Sequence, residues 1–175
     1  MTSQFRNIGL IGRVDSDLVR QSVQTLVVLL QQRELTVVLE EETSKALDSH
    51  SLQVASRKLI GEVCDMVIVV GGDGSLLGAA RDLARHDIPV LGINRGKLGF
   101  LTDIAPEDIE TGVSCVLEGN YETETRFLLE TELKRAGAVV GQSDAFNDVV
   151  LHSGQAPKML SFELYIEGEF VYSQR

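Results

Sequence analysis

The chain has 175 residues, enough for one full core or for one core and part of a second domain, with 43% apolar residues, 5% aromatics and no tryptophan. Its formal net charge of −10 at pH 7 excludes an extended electrostatic footprint for DNA or RNA, while a few backbone N–H groups suffice to hold the phosphate of a small nucleotide. No apolar run approaches the roughly 20 residues of a membrane span, and the N-terminal MTSQFRNIGLIG is too short and polar for a signal peptide, so the reading is a soluble, cytoplasmic protein with no membrane or nucleic-acid partner.

In chain order, residues 5–11 form a short apolar strand that Gly12 breaks. Asp15 or Ser16 caps a helix whose Leu18, Val19, Val23, Leu26, Val27 and Leu30 make one apolar stripe. A second strand, 35–39, runs into Glu40, Glu41 and Glu42, an acid run that reads as a solvated strand exit without function. Leu52, Ala55, Leu59 and Val63 mark another helix. Residues 66–70 are unbroken and β-branched, the pattern of a strand buried on both faces of a parallel sheet. Residues 75–85 then place Leu76, Leu77, Ala80, Leu83 and Ala84 at helical spacing. A fourth strand spans 88–93, with Pro89 at its start, where a missing N–H does little harm. Residues 106–118 read as a helix with Ile109, Val113, Val116 and Leu117 on one face and Gly119 as its stop. Strands alternating with helices predict an α/β domain, a doubly wound and mostly parallel sheet.

Near residue 120 the periodicity changes. Residues 121–133 are rich in Thr and Glu without a helical stripe, and Phe162, Leu164, Ile166, Phe170 and Tyr172 alternate with polar residues around Glu167-Gly168, a hairpin over 162–172. The expected organisation is therefore an α/β domain over 1–119 and the opening part of a β-rich, incomplete second domain over 120–175.

The chemistry concentrates at the junction of the third strand with its helix, Gly71-Gly72-Asp73-Gly74. Strand-to-helix junctions are where open α/β sheets bind ligands. Backbone without Cβ atoms approaches a phosphate closely, and the helix adds the positive end of its dipole, which makes Gly71 and Gly72 phosphate candidates. Asp73 repels phosphate unless it serves a metal, a hydroxyl or a sugar. A P-loop needs Lys then Ser or Thr after the last glycine, and Ser75-Leu76 follow instead. The stretch 92–97 is one residue short of that pattern and ends in Lys97-Leu98. Gly72-x-Gly74-x-x-x-Gly78 loosely follows a dinucleotide fingerprint, yet about twenty residues on, where an acid holds the ribose, stand Asn94 and Arg95. A glycine-rich turn in which Asp73 merely caps a helix remains open on these residues alone.

The loop 94–103 carries two cations, two glycines and apolar side chains at a strand end. Arg95 and Lys97 are phosphate candidates, and Phe100 stacks on a base or packs on a second domain; a surface loop anchored by Phe100 accounts for the same residues. Cys64 and Cys115 match no metal or redox spacing and read as reduced core residues. His50, His86 and His152 are isolated, without a second ligand at metal spacing, and read as surface or loop residues.

Taken together, GGDG at 71–74, INRGKLGFLTD at 93–103, LLE at 128–130 and FNDVVLH at 146–152 resemble NAD kinases of the bacterial type, over the whole length of the chain. GGDG alone is shared with lipid kinases of the diacylglycerol type and, more loosely, with phosphofructokinases; the other two long stretches carry the resemblance. It implies phosphorylation by ATP of the 2′-hydroxyl of the adenosine ribose of NAD, giving NADP. Asp73 is then the base and an NAD contact, Gly74 lies against the NAD, and Phe100 lies close to it. Asn147 and Asp148 match the family's Asn-Glu/Asp pair that holds ribose and adenine groups; without the resemblance they read as a turn. Lys158 stands where relatives commonly have His or Arg, and Arg175 where the family has an Arg that reaches the dinucleotide from a neighbouring strand or subunit. Also implied are a divalent cation, Mg²⁺ brought by the ATP phosphates, with no metal ligand assigned in the chain, and a homo-oligomer, a dimer or tetramer. In the family an Asp-Gly segment and a TPTGSTAY-type stretch follow the Arg, so the resemblance implies that residues 1–175 are an N-terminal fragment, inactive alone. Two other functions remain at this stage, a diacylglycerol-type lipid kinase sharing the GGDG loop and a non-catalytic nucleotide sensor.

Overall fold

Strands that are apolar on both faces need a layer of helices on each side, and the computed structural model builds that arrangement. The structure describes residues 5–13, 16–95, 101–102, 104–154 and 159–175. They divide into two compact units, with the division between Leu128 and Leu129.

In the first unit five strands pair in parallel: β1 (Asn7–Gly12), β2 (Thr36–Glu40), β3 (Gln53–Ala55), β4 (Met66–Gly71) and β5 (Val90–Asn94). Their spatial order is β3-β2-β1-β4-β5, the doubly wound order the sequence predicts, in which the direction of winding reverses between β1 and β4. The helices are α1 (Asp17–Gln32), the single turn α2 (Glu41–Ser44), α3 (Arg57–Val63), α4 (Asp73–Leu83) and α5 (Ile109–Leu117).

Alternation along β4 feeds two cores. Met66, Ile68 and Val70 join Leu26, Leu30, Ile93, Val113 and their neighbours on the side of α1 and α5. Val67 and Val69 join Ile60, Ala79 and Leu83 on the side of α3 and α4. Each such side chain, fully buried, contributes about 1.5–3 kcal/mol.

Four details depart from the sequence reading. The helix expected from Leu52 to Val63 is split, because Gln53–Ala55 pairs with the open edge of β2 (Val38↔Gln53, Glu40↔Ala55). Ser56 then starts α3 as its N-cap, accepting from the Leu59 N–H at 3.3 Å, and the buried residue of α3 is Ile60, with Leu59 and Val63 exposed. Glu40, expected to be solvated, is buried, since β2 carries it under α2. The expected 106–118 helix opens with a 3-10 turn (Pro106–Asp108) before α5, and it ends at Gly119 with φ +87° as expected. Cys115 lies on the solvent face of α5 and is exposed, while Cys64 is half-buried at the end of α3.

The described residues of the second unit form two antiparallel hairpins, β6 (Leu129–Arg135) with β7 (Ala138–Ala145) and β8 (Phe162–Ile166) with β9 (Glu169–Gln174). Both turn over two residues with positive φ, Ala136-Gly137 and Glu167-Gly168. That geometry matches strand twist, and glycine at the second position relieves it. Among the described residues, no helix is long and apolar enough to cross a membrane.

Candidate active site

Where the winding reverses, the helices after β1 and β4 leave on opposite faces and open a crevice at the strands' C-terminal ends. The chain supplies Gly12 and Arg13 there from β1, and Gly71, Gly72 and Asp73 from β4. The sequence places α4 from Ser75; it begins two residues earlier. Gly72, extended at φ −95° and ψ −176°, is its N-cap, and the Gly72 carbonyl accepts from Ser75 N at 2.9 Å and Leu76 N at 3.2 Å. Asp73 and Gly74 thus form the first turn, where N–H groups have no intrahelical partner and negative charge is favoured.

None of the GGDG glycines has positive φ. Their smallness matters instead: a Cβ on Gly71 would collide with the Ser75 side chain. Gly71 also accepts from Arg95 N at 2.9 Å, tying the start of the 94–103 loop to the end of β4. The Asp73 carboxylate is half-buried, and its Oδ1 accepts from Leu101 N at 3.2 Å, so the far side of that loop is held against the start of α4. Arg95, a phosphate candidate, turns back toward α1, where its Nε donates to the buried Ser22 Oγ at 2.5 Å.

The structure therefore brings together Gly71, Gly72, Asp73, Gly74 and Arg95 at the ends of β4 and β5. Lys97, Phe100 and Lys158 lie outside the described residues. Asn147 and Asp148 follow β7 in the second unit, both exposed, and Arg175 follows β9, also exposed.

A cleft of about 280 Å³ opens beside the first turn of α4, lined by Gly74 and Gly78 of α4, Gly12 and Arg13 of β1 and its exit, Glu40 of β2 and Arg57 of α3. The sequence pattern assigns no role to its Arg13, Glu40 or Arg57, and Gly78 enters only the loose dinucleotide fingerprint. One signal for it was present, a second glycine one turn into α4.

The wall of the cleft is a fixed polar network. Thr43 Oγ1 accepts from Gly12 N at 2.8 Å and donates to Glu40 Oε2 at 2.9 Å, while Thr43 N donates to the same carboxylate oxygen at 2.9 Å. Arg57 answers the buried charge, with Nε donating to Glu40 Oε1 at 3.3 Å and Nη1 to Asp82 Oδ2 at 2.8 Å. A buried carboxylate with partners on both oxygens holds β2, α2 and α3 in register.

This geometry, a helix N-terminus bearing a carboxylate at the reversal point of a parallel sheet, suits phosphoryl transfer to a hydroxyl. Comparison with known proteins gives the family. The NAD kinases of Ectopseudomonas mendocina (strain ymp) and Pseudomonas fluorescens (strain SBW25) are each 60% identical to the chain, over 98% of it. The chain spans 58% of the length of those relatives. The crystal structure of yeast NADH kinase complexed with NADH shares the fold, with a TM-score of 0.82 at 22% identity, covering 96% of this chain and 54% of that one. A model of the ATP-NAD kinase N-terminal domain matches residues 8–121, and the chain belongs to the ATP-NAD kinase family.

Proposed function

We propose that the protein to which this chain belongs phosphorylates the 2′-hydroxyl of the adenosine ribose of NAD with ATP, giving NADP. The observation that carries the reading is the position of Asp73, a half-buried carboxylate on the first turn of α4, held to Leu101 at the point where the sheet's winding reverses. Asp73 takes the proton of the ribose hydroxyl as that oxygen attacks the terminal phosphorus; the bond to the bridging oxygen breaks and ADP leaves. Phosphoryl transfer is mostly positioning and charge stabilisation. The backbone at Gly71–Gly74 and the α4 dipole accommodate the developing charge.

On the NAD side, Gly74, Phe100, Asn147, Asp148, Lys158 and Arg175 are assigned by their place in the family's motifs. An exposed Asn offers both a donor and an acceptor, and an Asp accepts twice from a ribose diol. The divalent cation belongs with the donor. Mg²⁺ keeps several waters and arrives on the phosphate oxygens, so it needs few protein ligands. When bound, the ion neutralises phosphate charge. The enzyme works in the cytoplasm as a homo-oligomer, a dimer or tetramer.

The test is Asp73→Asn in the full-length enzyme. The substitution keeps shape and hydrogen-bonding reach but removes the base, so turnover falls by about 10² to 10⁴ with NAD affinity little changed. A variant that keeps its turnover while NAD binding weakens makes Asp73 a positioning residue. Absence of NADP formation by the unmodified enzyme overturns the reading altogether.

A further inference from the structure

A glycine inside a strand weakens it and marks a place where another backbone comes close. Gly92 is such a residue, buried at the centre of β5. A Cβ there would stand 3.1 Å from Thr102 Cα, 3.2 Å from Leu76 Cδ2 and 3.3 Å from Leu101 O. The Leu76 methyl ends a flexible side chain and can move aside. The other two atoms are backbone, and they belong to the segment that returns to β5 after the 94–103 loop.

That segment is clamped to β5 just beyond the contact. Ile104 N donates to Gly92 O at 3.2 Å, Asn94 N donates to Ile104 O at 2.9 Å, and Ile93 and Ile104 form a parallel bridge. The hydroxyl of Thr102 is buried with no hydrogen-bond partner among the described residues, and an unpartnered buried hydroxyl costs stability. The close approach is therefore kept against stability twice over, in the glycine at 92 and in the hydroxyl at 102.

What the approach secures is the Leu101 N–H. It donates to Asp73 Oδ1 at 3.2 Å, the long end of the range for such bonds. A Cβ at position 92 has to shift the 101–102 backbone by a few tenths of an ångström. Leu101 carries its N–H along, and a displacement of that size spoils a bond that is already long.

We propose that Gly92 is a positioning residue: its lack of a Cβ lets the 101–102 backbone lie close enough to β5 for the Leu101 N–H to fix the orientation of the Asp73 carboxylate. The inference rests on the kinase reading above and adds to it a residue, on the neighbouring strand, that sets the aim of the base.

The test is a double-mutant cycle in the full-length enzyme. Gly92→Ala is expected to lower kcat about tenfold, since a misplacement of about 1 Å costs on the order of 10²-fold, while the KM values for NAD and ATP stay within about twofold. In an Asp73→Asn background the same substitution costs no further turnover, because the base whose aim it spoils is gone. A merely structural role in β5 gives an equal fold-loss in both backgrounds, and that outcome overturns the proposal, as does an unchanged kcat in the single variant. Should Gly92→Ala fail to fold, leucic acid in place of Leu101 decides, because the backbone ester it creates lacks the N–H and leaves position 92 alone. A kcat lowered to the same degree supports the link, and an unaltered kcat overturns it.

Hydrogen exchange separates this inference from the kinase reading. Without substrates, the Leu101 amide exchanges faster in Gly92→Ala than in the unmodified enzyme. Faster exchange in a protein that forms no NADP keeps the path from Gly92 through Leu101 to Asp73 and removes the kinase reading. NADP formation with unaltered exchange and unaltered kcat does the reverse.

Discussion

The two units treat apolar side chains in opposite ways. In the α/β unit Ile8, Leu10, Ile68 and Ile93 have no exposed surface, whereas in the hairpins Leu133 is 59% and Ile166 58% exposed. No described residue after Leu117 is buried. The contrast follows from connectivity. A parallel strand is joined to the next through a crossover, and in this sheet helices in the crossovers cover it. A two-residue turn joins antiparallel strands with nothing to cover them, and a lone hairpin is marginal in water. Asp73 therefore stands on a scaffold rigid by its own packing, while Asn147 and Asp148 stand beside strands whose apolar faces have no cover among the described residues of their unit.

The largest effect expected from this contrast is on stability. Ile68→Ala should lower the unfolding free energy of the α/β unit by about 2–5 kcal/mol, read from the denaturant midpoint, and Ile166→Ala in the same chain by less than about 0.5 kcal/mol. Similar losses at both positions would break the comparison.

Within the α/β unit the acid run after β2 sharpens it. Glu40→Ala leaves Thr43 N and Arg57 without their buried partner and should cost about 1–3 kcal/mol, whereas Glu41→Ala, one residue on and exposed, should cost less than about 0.5 kcal/mol. Equal melting temperatures for the two variants would show that the buried network contributes nothing.

In the second unit, exposure leaves side chains available for a ligand. Asn147→Ala in the full-length enzyme should weaken NAD binding by about 1–3 kcal/mol with little change in melting temperature. A marked drop in melting temperature with unchanged affinity would make Asn147 a turn former.

The smallest effect concerns the cysteines. Burial, and secondarily the charge of Asp65, pushes the Cys64 thiol up to about 11. Because the thiolate is the reactive form, iodoacetamide at pH 8 should modify the exposed Cys115 first, and Cys64 should follow only as the pH is raised toward 11 or the protein unfolds. Faster labelling of Cys64 would mean that the end of α3 opens readily.

Much of this was legible because it is local. The β-branched run at 66–70 has one good solution, a strand covered on both sides, and Glu167-Gly168 between alternating segments specifies a tight hairpin turn. The family motifs GGDG and NRGKLGFLTD are contiguous, and their meaning survives without coordinates. What escaped was nonlocal. β3 is three residues long and is a strand only because the edge of β2 pairs with it, overriding an apolar spacing that suits a helix. Cys115 sits in an apolar segment, yet a helix buries one face and this residue is on the other.

By itself, then, the sequence determined the alternation of strands and helices, the position of the glycine-rich junction and the family, since each depends on residues near one another in the chain or on contiguous motifs. Tertiary structure alone decided that Glu40 is buried and meets an arginine 17 residues away, and that Arg13, Glu40, Arg57 and Gly78 line one cleft. The reason is physical. The parallel order β3-β2-β1-β4-β5 brings the C-terminal ends of strands distant in sequence to one edge of the sheet, and only there do isolated charges and a helical glycine become the walls of one cleft.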